Sequence, residues 1–303
     1  MNPQRRVNLI ANSSPALKLV KTHAPEPSRS AGLDSAFFPG YGGAVGVEQI
    51  DGPDPLLNKH YRALMSASGV KLLFGSWRFG IDHEFLSTNL PFLNMLNVRY
   101  FLGDLGRESE PVVSLNKIAS LDLDVFESER VWPRAFFTDR LHVYEQEEEF
   151  IDLLRKSDGT PFGGIPKEAM ENQTELSTFI GARPPGTGTS IPATDYVLTS
   201  NTTSFKVNAT GPGVIVLTEA YVPGDFQVRV NGKTANYFRV NSAFKGLFIP
   251  AAGSYNVSFA YWPRYLTLSF YIAGAGMAAL LGWLVFLLKK DDLSSPGHKS
   301  TAI

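Results

Sequence analysis

Leu266–Leu288 reads LTLSFYIAGAGMAALLGWLVFLL, 23 residues without a charged side chain, and this stretch decides the class of the protein. At about 1.5 Å of rise per residue, a helix of this length crosses a hydrocarbon core of about 30 Å. Gly274, Gly276, Ala278, Ala279 and Gly282 suit close helix contacts in lipid, and Tyr271 and Trp283 suit the interfaces. Arg264 and Tyr265 before the stretch, with Lys289 and Lys290 after it, are the expected membrane-interface residues. A short basic tail stays cytoplasmic, which predicts residues 289–303 inside and residues 1–264 extracytoplasmic in a cell membrane.

Outward from this span the composition is that of a folded chain. The 303 residues are 44% hydrophobic and 19% charged, with a formal net charge of -1, which excludes disorder over most of the length. Lys+Arg number 28 against 29 Asp+Glu, so the chain lacks the basic surface of a dedicated nucleic-acid binder. Absence of cysteine excludes disulfides, thiolate catalysis and Cys-ligated metal centres. The first thirty residues hold no apolar run of the kind that exports a chain; the expectation is therefore the end of a longer polytopic protein whose earlier helices supply export.

The pattern predicts an α+β chain: a mixed α/β unit, then an antiparallel β-sandwich, then one C-terminal transmembrane helix. Residues 1–35, broken by Pro15, Pro25 and Pro27, read as an extended lead-in, and 36–182 as the mixed extracytoplasmic domain. Helices are expected over Pro55–Ser66 with Asp54 as N-cap, near Leu90–Leu96, and over Glu145–Lys156, whose acidic start and basic end match the helix dipole. Strands are expected at Val98–Leu102, Pro111–Asn116, Leu121–Phe126 and Arg134–Thr138. The Pro/Gly run over 183–192 reads as a linker. Over 193–264 the period turns to two, with five to seven short β-branched and aromatic strands and an Asn231-Gly232 hairpin turn. The last strand runs through Trp262-Pro263-Arg264 into the span at 265–288, which would seat the sandwich on the bilayer.

Motifs that would announce an enzyme are missing: the sequence has no HExxH, GxSxG or GxxxxGK[ST], and the glycines at 40–46 lack GxGxxG spacing. Asp82-His83-Glu84 is read as a solvated loop rather than a metal site. No catalytic residue, metal ligand or cofactor is assigned. Asp51 and Asp54, with Tyr61 and Arg62 one to two turns on, carry two readings, a sugar or phosphate contact or a turn and cap. Arg134 and Arg264 each follow proline beside an aromatic and are candidates for a headgroup or pyrophosphate, with simple anchoring the alternative for Arg264. Tyr221, Phe226, Tyr237, Phe238, Phe244 and Phe248 would serve either a sugar platform or a strand core. Five Asn-x-Ser/Thr sites, at Asn12, Asn172, Asn201, Asn208 and Asn256, would be glycan acceptors in a eukaryotic lumen and would mean nothing in a bacterial envelope.

Four segments resemble the C-terminal end of YfhO-type bacterial membrane proteins: GAVGVEQIDGPDPLLNKHYRAL at 43–64, LNMLNVRYFL at 93–102, VWPRAFF at 131–137, and EAYVPGDFQVRVNGK with FKGLFIPAAGSYNVSFAYWPR at 219–264. Where such sequences read Pro-Gly-Trp, Asp-Gly and Gly-x-His, this chain has Gly224-Asp225-Phe226, Asn231-Gly232 and Gly253-Ser254-Tyr255, changes that suit turns and packing. The family is glycosyltransferase-like, and the resemblance implies a polyprenyl-linked sugar as donor and an envelope polymer as acceptor. Its polytopic module, where metal-assisted transfer would occur, is absent from this sequence, so catalysis by this chain alone is not expected. The expected partners are the lipid bilayer, a polyprenyl-linked sugar or envelope glycan, and an upstream transmembrane module or partner subunit. The alternative is a non-catalytic interaction or scaffold domain of a membrane complex.

Overall fold

The computed structural model describes residues 14–34, 36–37, 40–50, 58–73, 78–106, 115–171, 173–182 and 184–294. Asp51, Asp54 and most of the strand expected over Pro111–Asn116 lie outside them. The fold is α+β, and the chain divides into two compact units, Met1–Pro223 with Val228–Ala260, and Gly224–Gln227 with Tyr261–Ile303.

The expected extended lead-in is, in its described part, a helix and a strand. Helix α1 (Pro15–His23) starts where Ser14 Oγ accepts from Leu17 N at 3.2 Å and Pro15 takes the first helical position. Strand β1 (Arg29–Gly32) follows it. A single turn, α2 (Gly42–Val45), occupies the glycine loop. Helix α3 (Lys59–Ser68) is capped by Asn58, whose Oδ1 accepts from His60 N at 2.9 Å and Tyr61 N at 3.3 Å. Asn58 caps this helix, and Asp54, the expected cap, lies outside the described residues. Gly69 closes the helix at φ 79°, a left-handed turn that a side chain would disfavour.

A hairpin of β2 (Lys71–Leu73) and β3 (Arg78–Gly80) leads to α4 (His83–Met95). The Asp82-His83-Glu84 segment is thus a helix start, not a loop. Asp82 Oδ1 accepts from Phe85 N at 2.8 Å, and Lys71 pairs with the same carboxylate. The kink at Asn89 (φ -118°) precedes Pro91, which has no N–H to give, and Asn89 Nδ2 donates to Phe85 O at 3.2 Å there. Strand β4 (Val98–Gly103) pairs in parallel with β1 and antiparallel with β6 (Asp124–Glu127), and β5 (Asn116–Ser120) closes this four-stranded sheet.

Strand β7 (Ala135–Thr138) belongs to another sheet. Between it and the Pro/Gly stretch come β8 (Leu141–Tyr144), α5 (Glu147–Lys156), β9 (Gly163–Pro166), α6 (Lys167–Met170) and α7 (Thr174–Gly181). α5 begins in a capping box whose N-cap is Gln146: Glu149 Oε2 accepts from Gln146 N at 3.5 Å and also from Glu145 N at 2.9 Å, with Glu147, Glu148 and Glu149 in the first turn. Phe150 of α5 packs edge-on to Phe162, which packs on Trp132, and Trp132 on Phe136, with centroids 6.1, 5.2 and 5.8 Å apart. Gly164 allows the approach, since a Cβ there would stand 2.4 Å from the Phe150 ring.

The stretch read as a linker contains β10 (Ser190–Pro192), which pairs with β7. After it run β11 (Thr194–Leu198), β12 (Thr202–Ala209), β13 (Gly213–Ala220), β14 (Phe226–Val230), β15 (Lys233–Thr234), β16 (Phe238–Val240), β17 (Phe244–Ile249) and β18 (Gly253–Tyr261). They form two five-stranded antiparallel sheets ordered β10-β7-β13-β17-β16 and β11-β12-β18-β14-β15. Asn231 and Gly232, at φ 49° and 79°, make the expected two-residue hairpin turn. Strand β12 alternates, buried on one face of its sheet and more open on the other, whereas β13 is buried on both faces from Gly213 to Thr218.

The second unit contains α8 (Leu266–Ser294). Within it, Leu266–Lys290 contains an 18-residue stretch with a mean hydropathy of 2.0 and no buried residue, and it is long and apolar enough to cross a membrane. A polar collar precedes it: Asp225 O accepts from Trp262 N at 2.8 Å, Asp225 Oδ1 from Arg264 N at 3.0 Å, and Trp262 Nε1 donates to Thr267 Oγ1 at 3.0 Å. Gly224 sits at φ 78° against the Arg264 guanidinium.

Candidate functional site

Arg134 enters β7 from Trp132-Pro133, and its carbonyl accepts from both Thr218 N and Thr218 Oγ1 at 2.9 Å. That pins it beside β13 at an irregularity in the ladder with β17: Leu217 faces Lys245 and Ala220 faces Phe244, with Thr218 and Glu219 bulged between them. A bulge re-aims side chains. Here it turns Glu219 toward Lys245 Nζ at 3.1 Å and Arg134 Nη2 at 3.3 Å, and Thr203 Oγ1 of β12 donates to Glu219 Oε1 at 2.7 Å. Lys245, only 1% exposed, also lies 5.2 Å from the centre of the Phe259 ring on β18. The two sandwich sheets are thereby joined by charge as well as by apolar packing.

A third sheet contributes Arg29 from β1. Its Nη1 donates to Leu96 O at 2.7 Å and its Nη2 to Thr218 O at 2.6 Å. Glu48, held where Ser30 N donates to Glu48 O at 2.7 Å, places Oε2 2.6 Å from Arg134 Nη1 and 3.8 Å from Arg29 Nε. Arg29, Arg134 and Lys245 thus meet Glu48 and Glu219, one cation in excess. Burial pushes the Lys245 ammonium down to about 8; Arg134 and Arg29 push the same way, while Glu219 opposes them. Burial, then Arg134, lowers Arg29 to about 10. For Glu219 burial alone would raise the pKa, but Lys245 and Arg134 outweigh it and hold the carboxyl below its ordinary value.

Glu48 forms part of the wall of an open groove of about 580 Å³, together with Lys21, Glu26, Ser28, Ser30 and Gly46. Its side chain is 47% exposed, whereas that of Arg134 is 8% exposed. Tyr61 stands within electrostatic reach of Arg29, with its hydroxyl 3.4 Å from Ile50 O and its ring edge-on to Phe79. The structure therefore brings Tyr61 and Arg134 toward one place, while Arg62 is exposed on α3. Asp51 and Asp54 lie outside the described residues. Arg264 and Tyr265 are exposed at the start of α8, and Lys289 and Lys290 toward its end.

A second charged group clamps α5 and α6 to β16. Arg239 donates to Glu147 Oε1 at 3.0 Å and Ser242 O at 2.6 Å, and also to Glu168. Asn241 and Ser242, at φ 46° and 67°, form a buried left-handed turn tied to Gly164 by two bonds of 2.5 and 2.7 Å. His60, whose pKa burial and then Arg239 push down to about 4, lies 5.9 Å from Tyr221, which is 5.6 Å from Tyr237. Among the described residues no group of three or more His, Cys, Asp or Glu is placed to hold a metal ion.

No protein-family model, no curated protein and no solved structure matches this chain. Its chemistry is therefore read from the charged hub and the helix. Sequence reasoning missed Arg29, Glu48, Glu219 and Lys245. The available signal was charge inside apolar strands, Lys245 in FKGLF and Glu219 after VIVLT.

Proposed function

We propose that this chain is the membrane-anchored extracytoplasmic module of a YfhO-like envelope protein. In this reading it recognises or positions a glycan or polyprenyl-linked sugar for a polytopic transferase module and does not itself catalyse transfer. The observation that carries the reading is α8, an apolar helix without a buried residue over Leu266–Lys290, immediately after a folded polar unit. Lys289 and Lys290 support a cytoplasmic tail. The hub and its groove supply the polar concavity that recognition needs.

The chain has no cysteine, so single cysteines report its topology cleanly. Asn201→Cys, in the exposed turn between β11 and β12, should react with an impermeant maleimide on intact cells, and Lys299→Cys only after permeabilisation. Labelling in the opposite order would refute the orientation. Binding of polyprenyl-phosphate sugars and envelope glycans to the full chain in nanodiscs tests recognition. No binding at millimolar ligand would leave the interaction or scaffold reading, which draws on the inward packing of Phe238 and Phe244.

A further inference from the structure

The five hub charges divide into a locked half and an open half. Glu219 is held by Lys245, Arg134 and Thr203. Glu48 is half-exposed and meets both guanidiniums through one oxygen, Oε2. Arg134 Nε is sealed from solvent and has no hydrogen-bond partner among the described residues. A guanidinium is built to hold an oxyanion through two parallel N–H bonds. Arg134 meets Glu48 through Nη1 alone. Two guanidiniums converging on a single carboxylate oxygen at a groove wall describe an oxyanion seat filled by the protein's own side chain.

The charge count indicates which oxyanion fits best. With Glu48 swung into solvent, Arg29, Arg134 and Lys245 face Glu219 alone, two positive charges in excess. A carboxylate would restore only the present imbalance, whereas a phosphate monoester, carrying close to two negative charges at neutral pH, cancels the excess. Ser28, Ser30 and Lys21 line the groove beyond Glu48 and offer donors to the remainder of a ligand.

We propose that the Glu48 end of this groove is a phosphoryl-binding site, in which a phosphate monoester displaces the Glu48 carboxylate from Arg134 and Arg29. The inference rests on the recognition role proposed above and gives it a ligand chemistry, a phosphorylated sugar or a lipid phosphate headgroup rather than a neutral glycan.

The test is calorimetric titration of the full chain in a neutral detergent with inorganic phosphate, glucose 1-phosphate and phosphatidic acid micelles, using chloride at matched ionic strength as the control. Phosphate should bind saturably and chloride should not. Glu48→Gln removes the internal competitor's charge and should tighten phosphate by about tenfold, the loss of one charge-assisted contact worth about 1.4 kcal/mol. Arg134→Lys should abolish the gain in the Glu48→Gln background. Since Glu48→Gln is expected to improve binding, misfolding cannot imitate the result. Unchanged or weaker phosphate binding in Glu48→Gln, or an equal response to chloride, overturns the proposal. Preference for glucose 1-phosphate indicates a sugar phosphate, and preference for phosphatidic acid a lipid headgroup. If phosphate binds but no glycan or polyprenyl sugar does, the recognition role fails and the seat stands. If such a ligand binds undiminished by saturating phosphate, the seat fails and the recognition role stands.

Discussion

Lys245→Met should leave the protein about as stable as the wild type at pH 7 and should abolish a rise in stability that the wild type shows in mild alkali. Lys245 is buried, and removing one member of a buried ion pair ordinarily costs about 3–5 kcal/mol because the other is left uncompensated. Here Glu219 keeps Arg134 at 3.3 Å and Thr203 at 2.7 Å, and the hub falls from three cations and two carboxylates to two of each. Methionine fills most of the lysine stem against Phe259. The expected change is within about 1 kcal/mol. The pH dependence follows from linkage. Lys245 titrates near 8 in the folded protein against 10.5 as its ordinary value, so between those limits the unfolded chain binds more protons and stability rises with pH. At about 1.4 kcal/mol per pH unit the full window is worth about 3 kcal/mol, of which about half appears by pH 9.5. Above that, Tyr100 and Tyr196, both raised to about 12, act in the opposite sense, since the unfolded tyrosines lose their protons first. Urea unfolding of the full chain in micelles, followed by near-UV dichroism from pH 7.5 to 9.5, reads the effect. A flat or falling wild-type curve, the same rise in Lys245→Met, or a loss above about 3 kcal/mol in Lys245→Met at pH 7 would refute the argument that Lys245 is the surplus charge.

Two other substitutions probe the same framework. Glu219→Gln takes the paired carboxylate from buried Lys245 and leaves Arg134 with Glu48 alone, and it should cost about 3–5 kcal/mol in the same urea assay, far more than Lys245→Met. Gly164→Ala places a methyl 2.4 Å from the Phe150 ring and should cost about 1–3 kcal/mol, with protection of α5 amides against hydrogen exchange falling first.

What was legible in the sequence was local. The uncharged run from Leu266 to Leu288 marks its helix by length alone, and the two-residue period over 193–264 marks a stretch that is strand after strand from β11 to β18. The charge run after Glu145 fixes α5 to within two residues. Helix α1 was obscured by prolines on either side, although Ser14-Pro15 carries a start signal. The hub was not legible because its partners are remote in sequence: Arg134 is 86 residues from Glu48 and 85 from Glu219. Only the parallel docking of β1 on β4 and the insertion of β7 beside β13 bring them together. Arg134 stood out by its Trp-Pro-Arg context, but its partners are Glu48 and Glu219, two carboxylates that local pattern gave no reason to choose.

The position of β7 bears on how this protein can be cut. Val214, Ile215, Val216 and Leu217 of β13 pair on one side with Thr138, Phe137, Phe136 and Ala135. A polypeptide starting at residue 193, where the two-residue period begins, would lack that neighbour and present four consecutive buried aliphatic residues along a naked ladder of amides and carbonyls. Such an edge recruits another copy of itself. Truncated protein should therefore emerge as insoluble material or as strand-exchanged dimers, whereas a polypeptide that retains residues 135–138 keeps the ladder closed within one molecule.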